Sequence, residues 1–336
     1  MSKDESPDKP YNWRENMRRF EMMLYHSFPL WLGALVFFIF VYVDLVKKTE
    51  KAKLIVIVYA SQDQIFAEPI LAEFTKQTGI KVRAVYDSEA VKTVGLANRL
   101  LAERNHPQCD VFWSNEELRT RQLAAQNVFR ETNGGAAFGY RSRRLVVNTN
   151  LLPLAAAPRS LLELTNANWR GKVALAYPLF GTTATHFIAL RQHWGDARWQ
   201  EWCRALATNK PFLVDGNSMA VKLVAKGEAW LGLTDSDDIA AEQREGAPIA
   251  ALPLTDESLL IPNTVAVTRN APHPLPAQKL FEFLQRPEIV NQLVGQNALE
   301  GVTHMNVTAK TLEPDWARVL AELDATTAKL KEIFLR

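Results

Sequence analysis

The chain has 336 residues, with 39 basic and 37 acidic side chains and a formal net charge of +2. This length is long for one domain and comfortable for two. The balanced charge, and the lack of a Lys/Arg cluster interleaved with aromatic residues, argue against a nucleic-acid partner. Cys109 and Cys203 form no CxxC or zinc pattern. They could form a disulfide, but their apolar neighbours favour two buried thiols.

A long apolar segment lies near the amino terminus. Residues 22–43 (MMLYHSFPLWLGALVFFIFVYV) are 22 residues without an acid, lysine or arginine. At 1.5 Å per residue, such a helix is long enough to cross a bilayer. We therefore expect residues 22–46 to be a transmembrane helix that spans the cytoplasmic (inner) membrane once, after a polar segment at 1–21 and before a linker at 47–53. Within 13 residues of the segment, four basic residues lie on each side, so they do not fix its orientation: Lys9, Arg14, Arg18 and Arg19 before it, and Lys47, Lys48, Lys51 and Lys53 after it.

A cleaved secretory signal peptide is the alternative interpretation of this segment. The polar stretch before the apolar segment is long for a signal peptide. The sequence VYVDLVKKTEKAK, which spans the end of the apolar segment and the linker after it, has no clear small-x-small cleavage site. No cysteine is present there for lipidation. These features favour an uncleaved signal-anchor, with the bulk of the protein in the periplasm or outside the cell.

Strand and helix patterns alternate from residue 54 onward. Residues 54–59 (LIVIVY) form a β-branched apolar run, which is typical of a strand buried on both faces. A helix is predicted at 65–77 and ends at Gly79. The next predicted elements are a strand at 80–86, a helix at 94–103, a strand at 110–113, a helix within 114–126 and a strand at 143–149. Such alternation predicts an α/β fold with a parallel sheet.

The pattern then starts again, which indicates a second α/β unit. Strands are predicted within 169–178, 211–214 and 229–233, helices within 180–195, 197–209, 217–228 and 236–246, extended segments at 249–254 and 258–270, and further helices at 276–285, 287–296 and 316–336. The extended segments near 143–149 and 259–268 are the best candidates for crossings between the units. We therefore predict a discontinuous domain 1 (54–147 and 263–336) and an inserted domain 2 (148–262).

Polar loops follow several of the predicted strands. In open α/β sheets, ligands bind outside the carboxyl ends of the strands. If the two domains face each other, these loops lie in the cleft between them. The predicted ligand-binding residues are therefore Ser61, Gln62, Asp63, Asn115, Glu116, Gly181, Thr182, Thr183, Asn217, Ser218 and Asp235.

Six segments, taken together and in this order, resemble the ferric-iron type of ABC-transporter solute-binding protein, which has a two-domain class II periplasmic-binding-protein fold. They are VYASQDQIFAEPILAEFTKQTGIKV, DVFWSNEELRT, FGYRSRRLVVNT, WRGKVALAYPLFGTTATHFIAL, LVDGNSMAVKLVAKGEAWLGLTDSDD and LLIPNTVAVTRNAPHPLPAQKLFEFL. The resemblance covers residues 54–335 and implies capture of a solute outside the cytoplasmic membrane and delivery to a permease with its ATPase. Iron-binding members of this family place a pair of tyrosines where this chain has TDSDD, so their iron ligands do not carry over.

The loop GTTATH at 181–186 opens a predicted helix with Gly181, Thr182 and Thr183. Its backbone N–H groups, hydroxyls and positive helix end would hold an anion such as phosphate, carboxylate or carbonate. The alternative is an ordinary helix cap; the family resemblance favours the anion. Asn217 and Ser218 allow the same two interpretations, a second set of donors or a cap.

The acids allow two interpretations as well. In TDSDD, Asp237 and Asp238 fall in the first turn of a predicted helix, where the helix dipole favours them. Asp235 precedes that turn and is left as a candidate ligand. With Asp63 and Glu116 it forms the predicted metal site, which would suit Fe(III) together with a synergistic anion. The same carboxylates would equally suit an ammonium-bearing organic phosphate or phosphonate.

Motifs of enzymes are missing from the sequence, which has no nucleophile elbow, P-loop, GxGxxG after a strand or HExxH. We therefore expect a non-enzyme without a covalent cofactor. The leading hypothesis is a membrane-anchored solute-binding protein of an ABC importer that captures Fe(III). One alternative is the binding of a small organophosphate, phosphonate or other anionic solute. Another is a receptor that signals to a membrane sensor and is not coupled to transport.

Overall fold

The computed structural model describes residues 54–86, 92–131, 135–252, 254, 256–302 and 310–335, together with residues 13–14, 17–18, 37–39 and 41–42. Most of the predicted anchor at 22–46 lies outside the described residues. Among the helices that are described, none is both long enough and apolar enough to cross a membrane. The chain divides into two compact units, Met1–Leu54 and Ile55–Arg336, and the architecture that follows is that of the second.

The described part of this unit contains nine β-strands and ten α-helices. The strands are β1 (Ile55–Ala60), β2 (Lys81–Tyr86), β3 (Val111–Ser114), β4 (Ala136–Asn148), β5 (Val173–Ala176), β6 (Phe212–Val214), β7 (Leu231–Asp235), β8 (Ile249–Leu252) and β9 (Leu260–Val267). The helices are α1 (Gln64–Thr78), α2 (Lys92–Ala102), α3 (Glu117–Ala125), α4 (Gly181–Trp194), α5 (Asp196–Thr208), α6 (Asn217–Ala225), α7 (Ser236–Arg244), α8 (Pro274–Leu284), α9 (Pro287–Gly295) and α10 (Trp316–Phe334).

The strands pair in the order β2-β1-β3-β9-β4-β7-β5-β6, and β8 pairs with β4 beside this path. Strand β1 is parallel to β2 and β3, and β5 is parallel to β6 and β7. The two parallel groups are joined by β9 and β4, which are antiparallel to their neighbours. The α/β prediction is therefore confirmed, with parallel pairing inside each group and antiparallel strands between them.

Strand β4 belongs to both groups. Its residues 136–142 pair with β9, and its residues 143–148 pair with β7 and β8. The sequence predicts this strand only from residue 143, whereas the structure begins it at Ala136. We call the part of the sheet on the β9 side the first lobe and the part on the β7 side the second lobe. The domain boundaries given above stay a prediction.

A bulge in β4 precedes the point where its partners change. The register with β9 shifts between Ala137 and Tyr140, and Gly139 lies there with a φ of +73°. A β-carbon at Gly139 would lie 2.5 Å from Leu299 Cδ1, so both the backbone conformation and the close contact require glycine. Such a bulge sets which face of the strand the following side chains occupy.

Apolar side chains cover both faces of each lobe. In the first lobe, helices α1, α8 and α9 pack on one face of the sheet, and α2 and α3 pack on the other. Helix α10 contacts helices of both lobes, because Val319 and Leu323 pack against Leu118 of α3 and Ile188 of α4. Cys109 and Cys203 are free and buried, as the sequence predicts. Burial raises the pKa of both thiols.

Candidate functional site

Two buried arginines of β4 lie at the centre of the polar residues that follow the strands. Arg141 and Arg143 are two positions apart, so they share one face of the strand. Arg141 is 4% exposed and Arg143 is fully buried. The sequence patterns did not identify either residue. The signal was available in RSRR at 141–144, where basic side chains precede the apolar run LVV and Arg141 and Arg143 have the spacing of one strand face.

Asp235 is held by donors from three parts of the chain. It accepts hydrogen bonds from Arg143 Nη1 at 2.6 Å, Thr182 Oγ1 at 2.7 Å and Asn217 Nδ2 at 3.1 Å. Arg141 Nη1 lies 3.3 Å from its second oxygen. Burial alone would raise the pKa of Asp235, but the two guanidinium charges and the hydrogen bonds lower it below its usual value. A metal ion bound at Asp235 would therefore have to displace protein donors.

Arg141 connects the two lobes. Its Nη1 donates to Asp237 Oδ2 at 2.6 Å, and its Nη2 donates to the backbone carbonyl of Asn115 at 3.0 Å. Asn115 follows β3 of the first lobe, and Asp237 lies in α7 of the second. Within the described part of the chain, Arg141 Nε and Asp237 Oδ1 are buried and have no hydrogen-bond partner. The site thus contains both a donor and an acceptor that the described residues do not satisfy.

The acids of TDSDD form the group with metal-ligand spacing among the described residues. One carboxylate oxygen each from Asp235, Asp237 and Asp238 lies within 4.8 Å of the others. Burial, followed by the charges of neighbouring acids, raises the pKa of Asp238 well above its usual value and also raises the pKa of Asp237, although Arg141 opposes both shifts. The first-turn interpretation of Asp237 and Asp238 therefore missed their part in the buried cluster.

Asp63 contributes its charge to the same cluster. Its side chain makes no capping hydrogen bond to α1. Its charge acts on Arg141, Asp237 and Asp238, since it raises the pKa of all three groups. Of the two roles that the sequence allowed for Asp63, these observations favour the cleft over the cap.

Glu116, in contrast to Asp63, caps a helix. It is the N-cap residue of α3, and its carboxylate accepts hydrogen bonds from the backbone N–H groups of Leu118 at 2.8 Å and Arg119 at 3.1 Å. It is not part of the group of acids with metal-ligand spacing. The expected convergence of Asp63, Glu116 and Asp235 on a metal stays a prediction, and the contacts of the Glu116 carboxylate with the start of its own helix weigh against the part of Glu116 in it.

The threonines and Asn217 do not cap their helices. The N-cap residues of α4 and α6 are Phe180 and Gly216, and neither makes a side-chain capping bond. Thr183 Oγ1 instead donates to Asn217 Oδ1 at 3.1 Å, and the same oxygen accepts from Arg143 Nη1 at 3.0 Å. These side chains gather at the guanidinium of Arg143. Gly181 begins α4, and Ser218 lies half-buried in the first turn of α6.

The ends of β1 and β3 are tied together by Ser61 and Asn115. Ser61 Oγ accepts from the backbone N–H of Asn115 at 3.0 Å and donates to Asn115 Oδ1 at 3.2 Å. Gln62 Oε1 accepts from Asn263 Nδ2 at 2.9 Å. Among the described residues, no partner reaches the buried Gln62 Nε2 or Asn263 Oδ1. The first lobe therefore also presents buried hydrogen-bonding groups at its strand ends.

His186 positions Arg143. Its Nε2 lies 2.7 Å from the carbonyl oxygen of Glu257, and its Nδ1 lies 3.4 Å from Arg143 Nε. Since a guanidinium can only donate, Nδ1 accepts and Nε2 carries the proton. Burial and then the charge of Arg143 lower the pKa of His186 to about 3. The ring is therefore neutral and serves as a support for the arginine.

A sequence profile of the family described as bacterial extracellular solute-binding protein matches residues 54–293. The chain belongs to this family. Among its relatives is the major ferric iron-binding protein of Neisseria gonorrhoeae, 25% identical over 300 residues that cover 82% of this chain and 89% of the relative. The resemblance to ferric-iron-type solute-binding proteins is thereby confirmed.

Solved structures of similar proteins have the same fold. Iron-bound HitA from Pseudomonas aeruginosa matches with a TM-score of 0.74 and 18% identity, over 83% of this chain and 99% of that one. The periplasmic binding protein AfuA from Actinobacillus pleuropneumoniae, with fructose-6-phosphate bound, matches with a TM-score of 0.73 and 18% identity, over 83% and 98% of the two chains. The two-domain α/β fold of periplasmic binding proteins is therefore confirmed for this solute-binding protein.

Proposed function

We propose that this solute-binding protein is the capture subunit of an ABC importer and closes around a small solute between its lobes. The observation that carries the proposal is Arg141, which bonds to Asn115 at a strand end of the first lobe and to Asp237 in the second. A ligand at this position contacts both lobes, so its binding favours the closed arrangement over the open one.

Ferric iron is one candidate cargo. It is supported by relatives named as ferric iron-binding proteins and by the three carboxylates within 4.8 Å of one another. Gly181, Thr182 and Thr183 at the start of α4 would hold the synergistic anion. Arg141 weighs against this cargo, because its guanidinium lies 2.6 Å from Asp237 and would repel a trivalent ion bound there.

A small organophosphate or phosphonate is the other candidate. It is supported by Arg143, a fully buried cation at the starts of α4 and α6. Helix amino termini and arginine both favour phosphate-type oxyanions. The structure of AfuA with bound fructose-6-phosphate supports this class of solute as compatible with the fold.

The cargo is tested by thermal unfolding of the full chain in a mild detergent. The additives are Fe(III) citrate, with and without carbonate or phosphate, and a panel of organophosphates and phosphonates. A ligand at about 100 times its Kd adds about 2.7 kcal/mol to the free energy of unfolding. If none of these solutes raises the unfolding temperature, the proposed capture function is contradicted. Conversion of a bound solute to a product would show an enzyme instead.

We also propose that residues 22–46 anchor the protein in the inner membrane as a single span, with the binding unit in the periplasm and a permease and ATPase as partners. The 22-residue apolar segment supports this topology. Carbonate extraction of membranes and protease accessibility of intact spheroplasts test it. A mature protein that begins after residue 46 and leaves the membrane on carbonate treatment would overturn the anchor.

A strain that lacks the gene for this protein distinguishes transport from signalling, through solute uptake and the transcriptional response. An importer subunit is required for uptake of radiolabelled solute, and restoring the chain restores uptake. A receptor that only signals leaves uptake unchanged and alters the transcriptional response to the solute. The second result would replace the importer proposal with the sensor alternative.

A further inference from the structure

Two regions of opposite charge adjoin in the site. The acidic region contains Asp63, Asp237 and Asp238, and the charge of Arg141 partly compensates these acids. The basic region contains Arg143, which is bonded to Asp235, Thr182 and Asn217 at the starts of α4 and α6. Each of these helix starts contributes a partial positive charge. Asp235 lies between the regions, since it bonds to Arg143 and is also within 4.8 Å of the other two acids of its segment.

Buried atoms in both regions lack a partner among the described residues. In the acidic region they are Arg141 Nε, a donor on a residue that is 4% exposed, and Asp237 Oδ1, a free acceptor on a residue that is 2% exposed. In the basic region the atom is Arg143 Nη2, a donor on a fully buried residue. The other atoms of both groups are held, because Arg141 fixes Asp237 Oδ2 and Arg143 Nη1 contacts Thr182, Asn217 and Asp235. Unsatisfied buried polar atoms are costly, so Asp237 Oδ1 and Arg143 Nη2 point to groups of a ligand.

The two atoms require opposite ligand chemistry. A bare metal ion could bind Asp237 but would leave the N–H of Arg143 without an acceptor. An inorganic anion could bind Arg143 but would leave Asp237 without a donor. A protonated amine donates three hydrogen bonds to carboxylates, and a phosphate-type oxyanion accepts from guanidinium and backbone N–H groups.

We propose that the solute is a small zwitterion whose ammonium group binds Asp237 and Asp238 and whose phosphonate or phosphate group binds Arg143 and the first turns of α4 and α6. This inference rests on the proposed solute-binding function. Arg141, fixed between Asn115 and Asp237, keeps the acidic region from excess negative charge and favours a monovalent cationic group there over a trivalent ion.

Isothermal titration of the full chain in detergent tests the inference with four probes. 2-Aminoethylphosphonate carries both groups, ethylphosphonate carries the anion alone, ethylamine carries the amine alone, and Fe(III) citrate supplies the metal. We expect 2-aminoethylphosphonate to bind about 10- to 100-fold more tightly than either single-group probe, which is the range for hydrogen bonds to charged groups. Equal affinity for ethylphosphonate, or binding of Fe(III) citrate without binding of the zwitterion, would overturn it.

Substitutions of Asp237 and Asp238 test whether these acids bind the ammonium group of the solute. In Asp237→Asn and Asp238→Asn, the ratio of affinities for 2-aminoethylphosphonate and ethylphosphonate is expected to fall toward one. This ratio does not depend on the folded fraction of a variant, so partial misfolding leaves the test valid. Glu245→Gln, an exposed acid at the end of α7, is the matched control and keeps the wild-type ratio. An unchanged ratio in both aspartate variants would contradict the assignment.

The two proposals fail in different ways. If Fe(III) citrate or a single-group probe binds in place of the zwitterion, the capture function stands and the zwitterion inference falls. If the folded protein binds none of the four probes, the zwitterion inference also falls. The capture function falls only if the wider panel of solutes fails as well.

Discussion

Arg143 Nη1 and Asp235 Oδ1 lie 2.6 Å apart, and the two residues also face each other in the register of β4 and β7. Both side chains are buried. The ion pair therefore forms wherever the two strands pair correctly, and it fixes the guanidinium at the starts of α4 and α6. A buried pair of this kind is costly to break on one side, because the remaining charge stays buried without compensation.

The first prediction concerns this pair. Arg143→Met is expected to lower the free energy of unfolding by up to about 3–5 kcal/mol, because Asp235 loses the cation that bonds it at 2.6 Å and keeps only Arg141, at 3.3 Å, among the described residues. The double variant Arg143→Met/Asp235→Leu is expected to recover most of that loss, since no buried charge is left alone. Urea unfolding followed by tryptophan fluorescence measures both. The prediction is wrong if the double variant is less stable than the single one.

An exposed ion pair supplies the control for this measurement. Arg318 lies 2.7 Å from Glu322 on the surface of α10, and its side chain is 60% exposed. Arg318→Met is expected to cost far less stability than Arg143→Met, because solvent screens such pairs. A loss of stability equal to that of Arg143→Met would show that burial does not explain the effect.

The second prediction separates the two roles considered for Glu116. Glu116 is the N-cap residue of α3, so Glu116→Ala is expected to lower the free energy of unfolding by about 1–2 kcal/mol. Glu116→Ser is expected to lower it less, because serine also caps helices. Neither substitution is expected to change the affinity for the solute. Urea unfolding and titration calorimetry measure the two quantities. A stable Glu116→Ser variant that no longer binds solute would make Glu116 a ligand instead.

The third prediction is a pH dependence that arises from His186. Burial and the charge of Arg143 lower its folded-state pKa from 6.5 to about 3. Between these values the unfolded chain binds a proton that the folded chain does not, so stability falls as the pH falls below 6.5. The contribution is at most about 1.4 kcal/mol for each pH unit.

The substitution His186→Gln is expected to flatten the dependence of unfolding free energy on pH over this acidic range. The measurement is a series of urea unfolding curves at decreasing pH. His106→Gln, which changes an exposed histidine, is the control and is expected to keep the wild-type slope. An identical slope for wild type and His186→Gln would show that His186 does not cause the acid sensitivity.

The fourth prediction tests the bulge of β4. Gly139→Ala introduces a β-carbon 2.5 Å from Leu299 Cδ1, at a φ of +73°. Gly171→Ala introduces one at a φ of +67° with no atom within 4 Å, so it measures the backbone strain alone. We expect Gly171→Ala to cost about 1 kcal/mol and Gly139→Ala to cost clearly more. Thermal unfolding compares the two, and equal costs would contradict a steric role for Gly139.

Local patterns predicted the elements but not their long-range contacts. The apolar run at 54–59 and the helical spacing that ends at Gly79 gave β1 and α1 within one or two residues, because these signals lie inside the elements themselves. Arg143 and Asp235 are 92 residues apart in the chain. Their contact depends on the pairing of β4 with β7, which no local pattern specifies.

Local patterns also could not tell which acids cap a helix and which face the cleft. At a strand end that precedes a helix, an acid that caps the helix and an acid that faces a ligand have the same sequence pattern. The structure gives Glu116 the first role and favours the second for Asp63, and the difference lies in which backbone N–H groups each side chain reaches. Asp237 was assigned to the helix dipole, yet its partner Arg141 is 96 residues away.

Strand β4 has a consequence for how such a protein diversifies. It passes from one lobe to the other between Ser142 and Arg143, and the two arginines that flank this point, Arg141 and Arg143, both lie in the candidate site. If the lobes rotate about this point, the backbone that carries those arginines bends. A lineage that changes these two residues to accept a new nutrient would alter the energetics of closing at the same step, so selectivity and transport rate are expected to evolve together.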